Sequence, residues 1–173
     1  KANDRFKESW TPKEFFWAYI YISSPLANLQ TNINSYTPKP FKVQRVADMI
    51  NNEILPDFIS KRINSFLHRE REPENTIPGP FNVSTVYSRP YSYLGWAGMM
   101  VMGLAVLILP TCYTKIISPE SPFFLTGFVI LSTMFLFLAF DNTLRFTGLS
   151  FQLVYPIVLS YGLQFPQLKK LFA

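Results

Sequence analysis

Three stretches in the C-terminal half of the chain, residues 91–114, 121–140 and 146–168, contain no charged side chain. Each reaches the roughly 20 apolar residues that a helix needs to cross a bilayer. The 16 Lys and Arg and 11 Asp and Glu are divided sharply: beyond Arg89 only Lys115, Glu120, Asp141, Arg145, Lys169 and Lys170 remain. A helix in water needs a polar face, and these stretches have almost none to offer. The expected fold is an all-α integral membrane protein. An N-terminal extramembrane region, 1–88, of amphipathic helices and extended arms precedes about three transmembrane helices at 89–113, 121–140 and 146–168. The third is either kinked at Pro156 or re-entrant, since packed membrane helices tolerate proline. The short links 115–120 and 141–145 make successive spans antiparallel neighbours.

The N-terminal region reads differently. Thr11-Pro12-Lys13-Glu14 is a helix start, with a capping threonine, a proline suited to the first turn and a capping-box glutamate. Phe15 to Ile22 follows, five aromatics in eight residues. It suits the headgroup interface or a protein surface, or else burial in a small domain, with Pro25 stopping or bending the helix. Residues 30–40 read as a polar connector. Val43, Val46, Ala47, Ile50 and Ile54 form one helical stripe; Leu55, Phe58, Ile59, Ile63, Phe66 and Leu67 form a second, with Pro56 at the bend between them. Residues 68–75 are a charged exit, 77–80 cannot be helical, and 81–87 alternate as a short extended arm before Ser88-Arg89-Pro90 opens the next helix.

Few residues carry chemistry. Cys112 is the only cysteine and His68 the only histidine, which removes disulfides, cysteine zinc sites and a bis-histidine haem within the chain. A buried, inert thiol and a solvated imidazole are expected. No phosphate-binding glycine loop is present, and Asn82-Val83-Ser84 is a chance match to a glycosylation acceptor. No catalytic, metal-ligating or cofactor-binding set is expected. Pro156 frees the Gln152 carbonyl, which with the Gln152 amide and Ser160 can meet a polar neighbour or a quinone-like ligand, or be satisfied internally.

Three other features point to contacts. Gly95, Gly98, Met102, Ala105 and Leu109 share a face of the first span, a small-residue stripe on which another helix can pack. Asp141 and Arg145, four apart, are expected to pair and pin the hairpin at the interface. Lys169, Lys170 and Arg89 are placed to meet anionic headgroups such as cardiolipin's, and Tyr91, Tyr93 and Trp96 to form an aromatic belt. Arg69, Arg71, Arg89 and Arg145 against Lys115, Lys169 and Lys170 lean the N-terminal region towards the cytosolic or matrix side. The net charge of +5 is too scattered for nucleic acid.

These readings converge on a non-catalytic accessory subunit of a multi-subunit membrane complex, with other membrane subunits and lipids as partners. A chain opening on Lys1 fits a processed leader or a shortened chain. A processed, basic chain suits the mitochondrial inner membrane, in a respiratory-chain complex or the ATP synthase. The alternatives are a transporter or channel component lined by Gln152, Ser160 and Gln164, and a membrane enzyme using Asp141.

Overall fold

The computed structural model describes residues 7, 8, 10, 12–37, 39–77 and 83–162, and all regular structure among them is helical. Thr11, Asn82, Gln164, Lys169, Lys170 and the end of the third apolar stretch lie outside the described residues, and with them the headgroup role expected of the two lysines.

After a single 3-10 turn at Lys13–Phe15, helix α1 runs Phe16–Asn34. It passes straight through Pro25 and consumes part of the expected connector. A helical proline leaves the carbonyl four residues back without its donor; here the Ser24 hydroxyl donates to the Tyr21 carbonyl at 3.3 Å. The face α1 buries is polar, made of Ser24, Pro25, Asn28 and Asn32. Its aromatic side faces out, with Trp17 and Tyr21 more than half exposed.

Helix α2 (Val43–Met49) runs into a π-helical turn at Ile50–Ile54, and α3 (Asp57–Leu67) begins after Pro56. The bend lies where proline puts it, but the expected apolar stripes are not the buried faces. Val43 is 77% and Phe66 85% exposed, whereas Asn51, Asn52, Glu53 and Ser60 are buried beside Met49. At Asn51 to Glu53 the cause is the π turn, closed by the Leu55 N–H donating to the Ile50 carbonyl at 3.2 Å, whose wider spacing turns these residues out of the 3.6-residue register. Helix α3 ends at His68, whose left-handed backbone (φ 51°) lets the Arg69 N–H close on the Asn64 carbonyl. The imidazole is exposed, bonding the Ser65 carbonyl through Nδ1.

Residues 83–85 of the expected arm are irregular and turn into α4 (Ser88–Leu94), which meets α5 (Trp96–Ile116) at Gly95. Gly95 has φ 62° and ψ −139°, a backbone region open essentially to glycine alone. Helix α6 (Phe124–Phe137) returns antiparallel to α5. A 3-10 turn at Thr143–Arg145 then leads to α7 (Thr147–Gln152) and α8 (Val154–Gly162), which fold back on α6. The third stretch therefore breaks at Leu153, not at Pro156; the proline sits in the first turn of α8, where its missing N–H costs least. Val86, Met102, Met134, Leu138 and Leu144 form the principal apolar core, and Tyr113, Ile117 and Leu131 a second one towards the far end of α5.

Candidate functional site

The small-residue stripe divides in the structure. Gly95 is the hinge before α5 and takes no part in a helix face. Gly98 is buried against the chain's own α4: a β-carbon there would stand 2.0 Å from the Pro90 carbonyl oxygen. Met102 is fully buried in the principal core, Ala105 is half-buried and Leu109 is 37% exposed. The face at Gly98 and Met102 thus serves intrachain packing. A tight contact among the three apolar segments lies elsewhere, at Gly127 on α6. A β-carbon there would meet the Tyr113 hydroxyl at 2.5 Å and Pro156 Cβ at 3.2 Å. The same hydroxyl donates to the Leu153 carbonyl at 2.9 Å, at the α7–α8 break. Gly127→Val should push the Tyr113 ring off that carbonyl and cost about 1–3 kcal/mol. Thermal unfolding in detergent checks this, with no loss expected for Tyr113→Phe in the same background.

The expected Asp141–Arg145 pair is absent. The turn between α6 and α7 is not a continuing helix, so four residues do not bring these side chains together; the Asp141 carboxylate instead accepts the Asn142 N–H at 2.6 Å. Arg145 reaches across to the N-terminal region, 3.9 Å from Glu53 Oε2 and 3.8 Å from Asp57 Oδ1. Arg89 also points inward, its Nε 3.2 Å from Glu74 Oε2, so it serves a protein carboxylate where a headgroup was expected. Tyr91 and Tyr93 are buried, leaving Trp96 as the exposed member of the belt, and Cys112 is exposed where a buried thiol was expected.

Arg145 and Arg89 belong to a buried polar junction that sequence reasoning missed. The π turn swings Asn51, Asn52 and Glu53 inward. Asn52 donates to the Tyr93 hydroxyl at 3.0 Å and accepts from Asn64 at 2.6 Å, and Asn64 in turn accepts from Asn51. Arg71 donates to Asp57 at 2.8 Å and to the Asn52 carbonyl at 2.9 Å, while Asp48 pairs with Arg69. From the α6–α7 turn, Asn142 donates to the Glu53 carbonyl at 2.6 Å and to its carboxylate at 3.3 Å. On α1, Asn28 donates to the Val83 carbonyl and accepts the Ile77 N–H, both at 2.7 Å. Asn32 donates to the Ser88 carbonyl at 2.6 Å and exchanges bonds with Ser92. The asparagines at 28 and 32, one turn apart on one face of α1, were the signal available in the sequence.

Glu53 sits at the centre. Burial pushes its carboxyl up to about 7, against the opposing pull of Arg89, Arg145 and Arg71 and of the Asn142 bond. It lines a cavity of about 40 Å³ together with Glu74, Ser84, Thr85, Val86, Arg89, Asp141 and Asn142. Thr85 and Val86 also wall an apolar cavity of about 540 Å³ formed by Pro25, Leu26 and Leu29 of α1, Val106 of α5, and Phe135 and Leu138 at the end of α6. Among the described residues no trio of His, Cys, Asp or Glu is placed to hold a metal ion. Gln152 is exposed and Ser160 half-buried, on separate helices. What the arrangement provides is a charged clasp joining the N-terminal helices to the α6–α7 turn, beside an apolar chamber of ligand size. No family model, curated protein or solved structure matches this chain.

Proposed function

We propose that the chain is an integral membrane protein and a non-catalytic, structural subunit of a larger membrane complex, most simply one of the mitochondrial inner membrane. A single observation carries this reading: the molecule wears its apolar side chains outside. Trp96, Met100, Leu104 and Leu107 are each more than half exposed along α5, as are Leu125, Val129 and Leu136 along α6. The interior meanwhile holds Asn28, Asn32, Asn52 and Glu53. In water such a surface would far exceed the apolar patches that monomers tolerate; against hydrocarbon it costs nothing.

Helix α5, at 21 residues, is the one described helix long and apolar enough to cross a bilayer. Its length of ~32 Å matches a hydrocarbon core of about 30 Å. Helix α6 has 14 residues, and the third segment is broken. Both complete the membrane part by packing on α5 at Gly127, Tyr113 and Pro156. Outside it, α1 presents Trp17, Tyr21, Ile22 and Leu26, a surface suited to a neighbouring subunit or a lipid headgroup layer.

A native gel in mild detergent, with mass spectrometry of what co-migrates, tests the assignment. The expected result is migration within a complex far above the 20.0 kDa of the chain, and retention in membranes washed with alkaline carbonate. Migration as a lone polypeptide removes the subunit role, and release by carbonate removes the membrane assignment. Depletion should lower the abundance of the host complex without abolishing turnover by the complexes that remain.

A further inference from the structure

The polar cavity between the N-terminal helices and the α6–α7 turn has a property that anchoring alone does not require. Two carboxylates face it in the same manner. Glu53, which lines the cavity, engages Asn142 and Arg145 through Oε2, and its Oε1 is buried without a hydrogen-bond partner. Glu74 engages Arg89 through Oε2, and its Oε1 is likewise buried and unpartnered. The Asn142 Oδ1 and Ser84 Oγ atoms that share the lining are also unsatisfied. The side chain of Glu53 is fully buried, and Asn142 and Ser84 are more than nine-tenths buried. Arg145 Nε and Nη1 are buried donors without a partner as well, but Nη1 stands 3.9 Å from Glu53 Oε2, beyond hydrogen-bond reach, so both carboxylate Oε1 atoms still lack a donor.

The charges around the cavity say which donor fits. Glu53 feels Arg71, Arg89 and Arg145, lies near Tyr93 and shares the cavity lining with Glu74 and Asp141, while Asp57 on α3 joins the group through Arg71 and Arg145. Asp48 on α2 is cancelled by Arg69. Four carboxylates therefore face three guanidinium groups. Lys61 leans on Asp57 from outside with its side chain 76% exposed, so water screens it from the interior. One positive charge is missing, and two carboxylates sharing one cavity resist ionising together.

We propose that this cavity is a proton-binding site in which Glu53 and Glu74 share a single proton, and that releasing it loosens the clasp between the N-terminal region and the α6–α7 turn. With the proton bound, one Oε1 becomes a donor to the other carboxylate, directly or through a water, which the cavity is large enough to admit. Charge balance is then restored to three against three. With the proton gone, two carboxylates repel across the cavity, and the direct contacts left to Glu53 are the long one to Arg145 and the bonds from Asn142, with Arg89 and Arg71 acting from further off. Burial by itself raises the affinity of Glu53 for a proton to near neutrality, which makes it the carboxyl that holds the proton.

The test is an infrared titration of the full-length chain in detergent between pH 5 and 8, read at the carbonyl band of a protonated carboxylic acid. Ordinary carboxylates are already ionised in this window. One such band should vanish with a midpoint near neutrality in the wild type and be missing in Glu53→Gln. In Glu74→Gln it should persist with its midpoint lowered by about one pH unit, a tenfold weaker proton affinity. The thermal midpoint of the wild type should fall from pH 5 to pH 8, and that of Glu53→Gln should stay level. The proposal is overturned if no carboxylic acid band titrates in the wild type, or if Glu74→Gln leaves the midpoint where it was. It is equally overturned if sodium or magnesium at pH 8 restores the acid-state stability of the wild type and not of Glu53→Gln, which would make the cavity a cation site.

Discussion

Gly98→Ala should unfold the α4–α5 bend, with a loss of about 3 kcal/mol or more and a fall in the thermal midpoint measured in detergent. The reason is which atom stands in the way. Overpacked sites usually cost 1–3 kcal/mol because a neighbouring side chain swings aside. Here the added carbon would lie 2.0 Å from the Pro90 carbonyl oxygen and 2.7 Å from its carbon, both backbone. Relief requires moving α4 as a unit. Helix α4 carries Ser88, Arg89, Ser92 and Tyr93, so displacing it also disturbs the bonds to Asn32, Glu74 and Asn52. An internal control separates this from any general cost of alanine in α5. Gly103 lies one and a half turns on, and its nearest neighbour would be Tyr87 at 4.0 Å. Gly103→Ala should be neutral or stabilising by up to about 1 kcal/mol, the helix propensity gain of alanine over glycine. Equal losses at the two positions would contradict the account of Gly98 as the contact point of α4 and α5.

How much of this was legible in the chain depends on the distance over which each feature is decided. The helical class, the links at 115–120 and 141–145 and the bend at Pro56 are set by local composition and by proline, and each can be seen in the residues themselves. The buried faces could not be, for two reasons. A π turn at Ile50–Ile54 shifts the register by one residue, so periodicity counted at 3.6 selects Ile50 and misses Asn52 and Glu53. In addition, a chain whose apolar groups face outward reverses the rule that the apolar stripe marks the core. The same reversal explains Asn28 and Asn32, which look like solvated positions in α1 yet tie it to Asn75, Ile77 and Val83. Arg145 illustrates the remaining gap. Its spacing from Asp141 suggested a local pair, but its partners lie about ninety residues earlier in the chain, at Glu53 and Asp57. No local rule reaches that far. Gly98 was identified as a packing position from spacing alone, whereas Gly95, three residues away in the same stripe, acts through its positive φ.

Arg145→Met should weaken the fold in a pH-dependent way, by about 2–3 kcal/mol at pH 8 and by about 1 kcal/mol at pH 5. Removing one member of a buried ion pair typically costs 3–5 kcal/mol because its partner is left charged in a poor solvent. Two facts place this site below that range at pH 8. The contacts to Glu53 and Asp57 are long, 3.9 and 3.8 Å, and Asp57 keeps Arg71 at 2.8 Å. Glu53, moreover, escapes an unfavourable charge by taking up a proton, since its carboxyl already stands near 7 and loses an opposing charge when Arg145 goes. The sign follows from linkage. A carboxyl raised from 4.5 to about 7 in the folded state contributes stability that is fully present below 4.5 and is lost as the pH rises to 7. At 1.36 kcal/mol per unit this amounts to about 3 kcal/mol across the window. At pH 5 Glu53 is neutral in both proteins, so the substitution removes little more than the packing of the arginine stem. At pH 8 the wild type has Glu53 ionised beside Arg145, and the variant must either hold that charge alone or bind a proton against a low proton concentration. The double variant Glu53→Gln, Arg145→Met should therefore recover more than half of the pH 8 loss, a coupling that chemical unfolding of the four proteins of the cycle will measure. An Arg145→Met penalty that is the same at both pH values, or that adds simply to the effect of Glu53→Gln, would mean that the guanidinium supports the α6–α7 turn by shape alone and that its charge is not what clasps the two halves of the molecule together.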